Sequence, residues 1–200
     1  MKYLILFSAI LLMISNARGQ EWDQYRQFTR YDTLRGSLTP ERSCYDVLYY
    51  ELFLKVDPDK RHIAGYNKFK YVAMQDFRLL QFELSAELTI DSITSLSGTH
   101  AFRRDSLFVF VTYPYKVHKG MFGDFTVYYH GIPHEAKNPP WDGGFVWQLD
   151  ENENHWVGVS CQGIGSSIWW PSKDHPSDEP DSMLISLVVP STLTAVANGK

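Results

Sequence analysis

From residue 47 onward the chain is a succession of short apolar runs in two-residue alternation, separated by turn residues. No stretch repeats apolar residues at the three-to-four spacing of an amphipathic helix, so side chains can be sorted into a core face and a solvent face only along strands. Residues 47–56 (VLYYELFLKV) place Leu48, Tyr50, Leu52 and Leu54 on one parity. Asp57-Pro58-Asp59-Lys60 has the chemistry of a turn, and 62–74 reads as the returning strand of a hairpin. Further strands are predicted at 79–84, 88–96, 98–104, 106–112 and 124–130, with turns near Arg104-Asp105 and at 119–123. Runs at 145–149 and 155–161 bracket the polar tip 150–154. A strand is expected at 183–189, and 193–197 reads as the start of another before the Asn198-Gly199 turn. Aromatic residues make up 15% of the chain and fall in these alternating runs, which suits strands. The pattern predicts an all-β fold, an antiparallel β-sandwich or folded-over sheet with few or no helices beyond the N-terminal leader.

That leader is residues 1–19. Lys2 supplies a positive start, 3–14 (YLILFSAILLMI) an apolar core too short to span a bilayer, and Ala17-Arg18-Gly19 small residues where a signal peptidase reads. The reading is a signal peptide cleaved before Gln20, which makes the mature chain exported (periplasmic or secreted) without stable membrane insertion. Residues 20–43 read as an extended lead-in without firm elements, and 44–200 as one β domain. A turn at Asn198-Gly199 with no strand after it suggests a domain truncated at its C-terminal end. A formal net charge of −4 argues against a nucleic-acid partner. The two cysteines, Cys44 and Cys161, could bridge in an exported chain, but their separation establishes no geometry, and two buried free thiols is the preferred reading.

Candidate chemistry concentrates in residues 156–181. Val157 and Val159 begin it as a strand, Gly163 and Gly165 break the backbone, and the strand is expected to re-form around Ile168-Trp169-Trp170 before a loop rich in Pro, Asp and Ser. Binding groups collect on loops held by rigid scaffolds. Ser166, Ser167, Asp174, His175 and Asp178 contain the residue types of a hydrolase triad, but Gly163-Ile164-Gly165-Ser166-Ser167 is not a nucleophile elbow. His130 and His134 are four apart with Glu135 beside them, yet Gly131 and Pro133 forbid the helix that would put both rings on one metal. Trp141, Trp147, Trp156, Trp169 and Trp170 form a cluster in sequence that could serve as a carbohydrate platform or as packing.

Residues 156–181, with Pro139-Pro140-Trp141-Asp142-Gly143-Gly144 before them and Val189-Pro190 through Ala197-Asn198-Gly199 after, resemble the first domain of the aminopeptidase N family, the zinc metallopeptidases (gluzincins) that include the leukotriene-hydrolase type. The likeness is to the exported bacterial branch, where segments like 32–40 (DTLRGSLTP) and 45–50 (YDVLYY) also recur. The resemblance implies a saddle-shaped β domain packed on a thermolysin-like catalytic domain of the same polypeptide. That domain would carry zinc through H-E-x-x-H, a downstream Glu, and a G-x-M-E-N strand for the substrate amine. Residues 1–200 contain neither motif, so this chain is expected to bind no zinc and to be inactive alone. The family's amine-binding Gln or Glu, one residue past an often-Cys position, corresponds to Gln162 in Cys161-Gln162-Gly163; its carbonyl oxygen can accept from the ammonium of a peptide N-terminus. Ser160 stands where many relatives carry a second Gln, and Asp178-Glu179-Pro180 matches a structural turn. A stand-alone β-sandwich module binding carbohydrate or protein is the alternative.

Overall fold

The computed structural model describes residues 27–199; the predicted signal peptide lies outside them. The elements are α1 (Arg30–Gly36), α2 (Pro40–Ser43), β1 (Tyr45–Asp57), β2 (His62–Ala73), β3 (Phe77–Glu83), β4 (Leu88–Ser95), β5 (Gly98–Thr99) and β6 (Ala101–Asp105). They continue with β7 (Phe108–Val117), β8 (Phe122–Gly131), β9 (Gly144–Leu149), β10 (His155–Ser160), a 3-10 turn at Ser166–Ile168, and β11 (Ser182–Val188). The chain divides after Thr33, and Leu34 onward is one compact unit.

That unit is all-β, as the alternation predicts. Six strands lie in the order β11-β1-β2-β8-β4-β5, three in the order β3-β7-β6, and β9 pairs with β10 as a separate ribbon. The two larger sheets face each other. Phe69 of β2 stacks on Phe125 of β8 at 4.3 Å between ring centroids, and Phe82 of β3 meets both from the opposing sheet at 5.5 and 5.9 Å. Fully burying such a ring is worth about 1.5–3 kcal/mol, which makes this trio the anchor of the inter-sheet contact.

Outside residues 161–170 the structure departs from the sequence expectations at five points, each with a local cause. Within the expected lead-in, residues 30–36 and 40–43 are helical rather than extended. Thr29 Oγ1 accepts from the Asp32 amide while the Asp32 carboxylate accepts from the Thr29 amide (3.3 and 2.9 Å), a reciprocal cap that starts α1. Thr39 caps α2 by accepting from the Arg42 amide, with Pro40 in the first turn, where its missing N–H costs nothing. Secondly, Leu48 does not share a face with Tyr50, Leu52 and Leu54. The register with β2 shifts between Val47 and Tyr49, so the buried set runs Tyr45, Val47 and then Tyr50, Leu52, Leu54.

Thirdly, the expected strand at 98–104 is interrupted at His100. Its amide donates to Ile93 O, and its ring turns inward beside Ser95 Oγ at 2.7 Å. Fourthly, no strand starts at 193–197; Leu193 donates to Pro190 O in a turn. Lastly, β11 pairs with β1 in parallel, because it returns by the long crossover 161–181 rather than by a hairpin.

Polar side chains secure the crossover. Arg42, fully buried, pairs with Glu83 Oε1 at 2.6 Å and donates to the carbonyls of Arg35 and Ser37. Gln81 Nε2 donates to the same Glu83 oxygen, and the Asp174 amide to the other. Lys173 reaches Tyr45 O and the Asp178 carboxylate, which also accepts from the Val47 amide. Asp178 is thus structural, as the resemblance implied.

Candidate functional site

Gln162 lies in a tight turn between β10 and the 3-10 turn. The amides of Ile164 and Gly165 both donate to Cys161 O (3.3 and 3.1 Å), and the Gln162 amide donates to Ser160 Oγ at 3.4 Å. Cys161, Gln162 and Gly163 are all exposed. The Gln162 side-chain amide makes no hydrogen bond among the described residues, so its carbonyl oxygen and NH2 group face solvent unspent.

The turn is braced from both sides. Gly165, at φ +82°, sits on the Asp174 carboxylate; a Cβ there would lie 2.0 Å from Asp174 Oδ2. The same oxygen accepts from Ser167 Oγ at 2.7 Å and from the Ser167 amide. This capture bends 166–168 into a 3-10 turn where a strand was expected. On the other side, a Cβ on Gly143 would lie 2.3 Å from Ile164 Cγ1, so the loop 136–144 packs tightly on the Gln162 turn. Asp142 stiffens that loop by accepting from the amides of Lys137 and Asn138, and these backbone bonds hold its carboxyl below the ordinary range. Through Asp174, the turn is tied to the buried Glu83–Arg42 pair. Sequence reading missed that pair; its visible trace was the Thr39-Pro40 helix start with Arg42 two residues on.

The other candidates do not assemble. Ser166 Oγ pairs with Ser172 Oγ, Ser167 with Asp174, and His175 with Ser177 Oγ on the surface, so neither Ser166 nor Ser167 meets the histidine. His130 pairs with Asp91 and His134 with Glu87, while Glu135 binds Arg61. Among the described residues, no three His, Cys, Asp or Glu side chains group as a metal site.

The tryptophans divide. Trp170 is buried edge-on to Tyr50, and Trp147 and Trp169 pack on the core, whereas Trp141 and Trp156 are exposed. Trp156, Val146 and the cis-linked Pro139 and Pro140 frame a shallow groove of about 380 Å³ on the outer face of the β9–β10 ribbon. Cys44 is buried and Cys161 exposed, both as free thiols, which corrects the expectation that both are buried. Among the described residues, no helix is long and apolar enough to cross a membrane.

No family model matches the sequence, and no characterised protein matches it by sequence. Solved structures do. An M1 zinc metallopeptidase from Deinococcus radiodurans, crystallised with a Tyr-Ser-Ala substrate, superposes with TM-score 0.59 at 23% identity over 79% of this chain. Leukotriene A4 hydrolase from Saccharomyces cerevisiae superposes with TM-score 0.58 at 16% identity over 90% of it. The chain spans 35% and 27% of the lengths of those two proteins. The described residues therefore have the fold of one portion of these zinc peptidases and hydrolases, about a third of their length or less.

Proposed function

We propose that this chain is the N-terminal β domain of an exported zinc-dependent aminopeptidase. In this reading it forms one wall of the cleft that receives the free N-terminus of a peptide. The observation that carries it is the Gln162 turn: a side chain with no partner among the described residues, in a turn braced by Asp174 and Gly143, on a fold shared with zinc peptidases. The Gln162 carbonyl oxygen accepts a hydrogen bond from the substrate ammonium. Being neutral, it binds the amine less strongly than a carboxylate would. Among the described residues no His, Cys, Asp or Glu cluster fits zinc, and in this reading the metal and the water it activates are supplied by a catalytic domain elsewhere in the polypeptide.

The test uses the whole polypeptide in which this domain occurs. Replacing Gln162 by Ala should raise KM for aminoacyl p-nitroanilides about 10- to 100-fold, the value of one hydrogen bond to a charged group, about 1.5–3 kcal/mol. Gln162→Glu should lower it. Unchanged KM in both variants would remove Gln162 from the amine site. Zinc-dependent release of amino acids by residues 1–200 alone would overturn the division of labour.

A further inference from the structure

A second concavity, of about 450 Å³, opens where β8 begins, whereas the chain leaving the far end of β8 runs to the loop that braces Gln162. We propose that this groove is a binding site for a neutral sugar.

Its walls are aromatic. Tyr49 lines the groove with the Lys70 ammonium over its ring, and the exposed rings are Phe122 at 77% and Tyr115 at 43%. Flat rings presented this way stack against the C–H faces of a pyranose. Its floor is polar. Tyr71 and Tyr113, each 2% exposed, meet hydroxyl to hydroxyl at 3.1 Å. That contact uses one of the two phenolic protons; the other has no acceptor among the described residues, and both phenols line the groove. Burial raises both titrations far above neutrality, so each stays a neutral phenol able to donate. At the lip, Ser95 and Ser97 share a hydrogen bond at 2.8 Å, and His100 holds Ser95 in place from beneath. A purely apolar ligand would strand the buried phenolic proton, whereas a sugar hydroxyl accepts it.

Charge favours a neutral ligand. Only Lys70 and Asp124 bring formal charge to the lining, and they cancel. Each is also engaged: the Lys70 ammonium lies 4.9 Å from the Tyr49 ring centroid, and Asp124 pairs with Lys68 at 3.3 Å. Asp124 is also the cross-strand partner of Lys70, so an anion meets a carboxylate beside the cation and an amine meets the reverse. The volume falls in the range of small-molecule sites.

The test is titration of the ¹⁵N-labelled chain with cellobiose, maltose and chitobiose, and separately with p-cresol as an apolar ring. At least one sugar should give saturable amide shifts at residues 95–97 and 122–124 with Kd of about 1 mM, typical of a weak exposed site. Tyr113→Phe keeps the ring and loses the hydroxyl, and should weaken binding about 2- to 10-fold. Tyr115→Ala, at an exposed position, should do so while leaving the spectrum otherwise unchanged. The proposal is overturned if no sugar produces saturable shifts there, if p-cresol alone does, or if the shifts map to the Trp141–Trp156 groove. None of these outcomes depends on peptidase activity.

Discussion

The two thiols differ in what surrounds them. Cys44 ends α2 with its sulfur directed at the carbonyls of Glu41 and Leu79, and burial pushes its pKa up to about 12. Cys161 ends β10 beside Trp169; partial loss of water raises its thiol too, with the indole opposing the shift, but the residue is exposed. Iodoacetamide at pH 8 should therefore alkylate Cys161 in the native chain and Cys44 only in guanidinium. Peptide mass mapping reads this directly, and equal native labelling of both would contradict it. The sequence shows two cysteines far apart but not where either side chain points. Gln162 was legible as a candidate only through the family resemblance of Cys161-Gln162-Gly163; the glycines by themselves mark a turn and no particular residue. Its bracing was not, because Asp174 reads as one more acid in a polar loop until Gly165 is seen resting on its carboxylate.

Individual elements were legible wherever alternation persists, and misplaced wherever one polar contact overrides it. The β1 bulge at Leu48 leaves the apolar run unbroken, so parity alone could not show the switch of face. Gln81 and Glu83 look like the solvent side of β3, yet both are buried, because α2 covers that face with Arg42. Arg42→Met should accordingly cost about 3–5 kcal/mol by stranding the Glu83 charge. Adding Glu83→Gln should recover part of that loss in a urea double-mutant cycle, and strict additivity would show that the pair is not coupled.

The β7–β8 turn depends on Asp76. Its carboxylate accepts from the Lys119 amide at 2.9 Å and pairs with Lys116 at 3.0 Å, which lowers its pKa from 3.8 to about 2. A depressed carboxyl stabilises the fold above its unfolded pKa, and that contribution is lost as pH falls from about 4 toward 2. Wild type should therefore exceed Asp76→Asn in urea midpoint at pH 5, with the gap closing by pH 2. A gap that stays constant across that range would remove the ionic role.

On the scale of the whole molecule, the question is whether the two facing sheets and the β9–β10 ribbon unfold together. One buried cluster joins them: Phe69 and Phe125 from the six-stranded sheet, Phe82 from the three-stranded sheet, and Phe145 from the ribbon, with Trp147 and Trp169 packed on it. A shared core makes the units cooperative, because exposing one sheet exposes the partner surface of the other. Phe82 is fully buried, so Phe82→Ala removes a ring from the middle of that contact and should cost about 3–5 kcal/mol. Five of the six tryptophans fall within residues 141–170, so fluorescence reports chiefly on the ribbon and the crossover, while far-UV circular dichroism reports on all the strands. If the core is one unit, Phe82→Ala shifts the urea midpoints from both probes equally, although Phe82 lies in neither the ribbon nor the crossover. If the ribbon is held only by its own hairpin, the fluorescence midpoint stays near the wild-type value while the dichroism midpoint falls. The contacts of Phe145 and Trp169 with the cluster predict the first result, and with it that the turn carrying Gln162 keeps its shape only while both sheets stay packed.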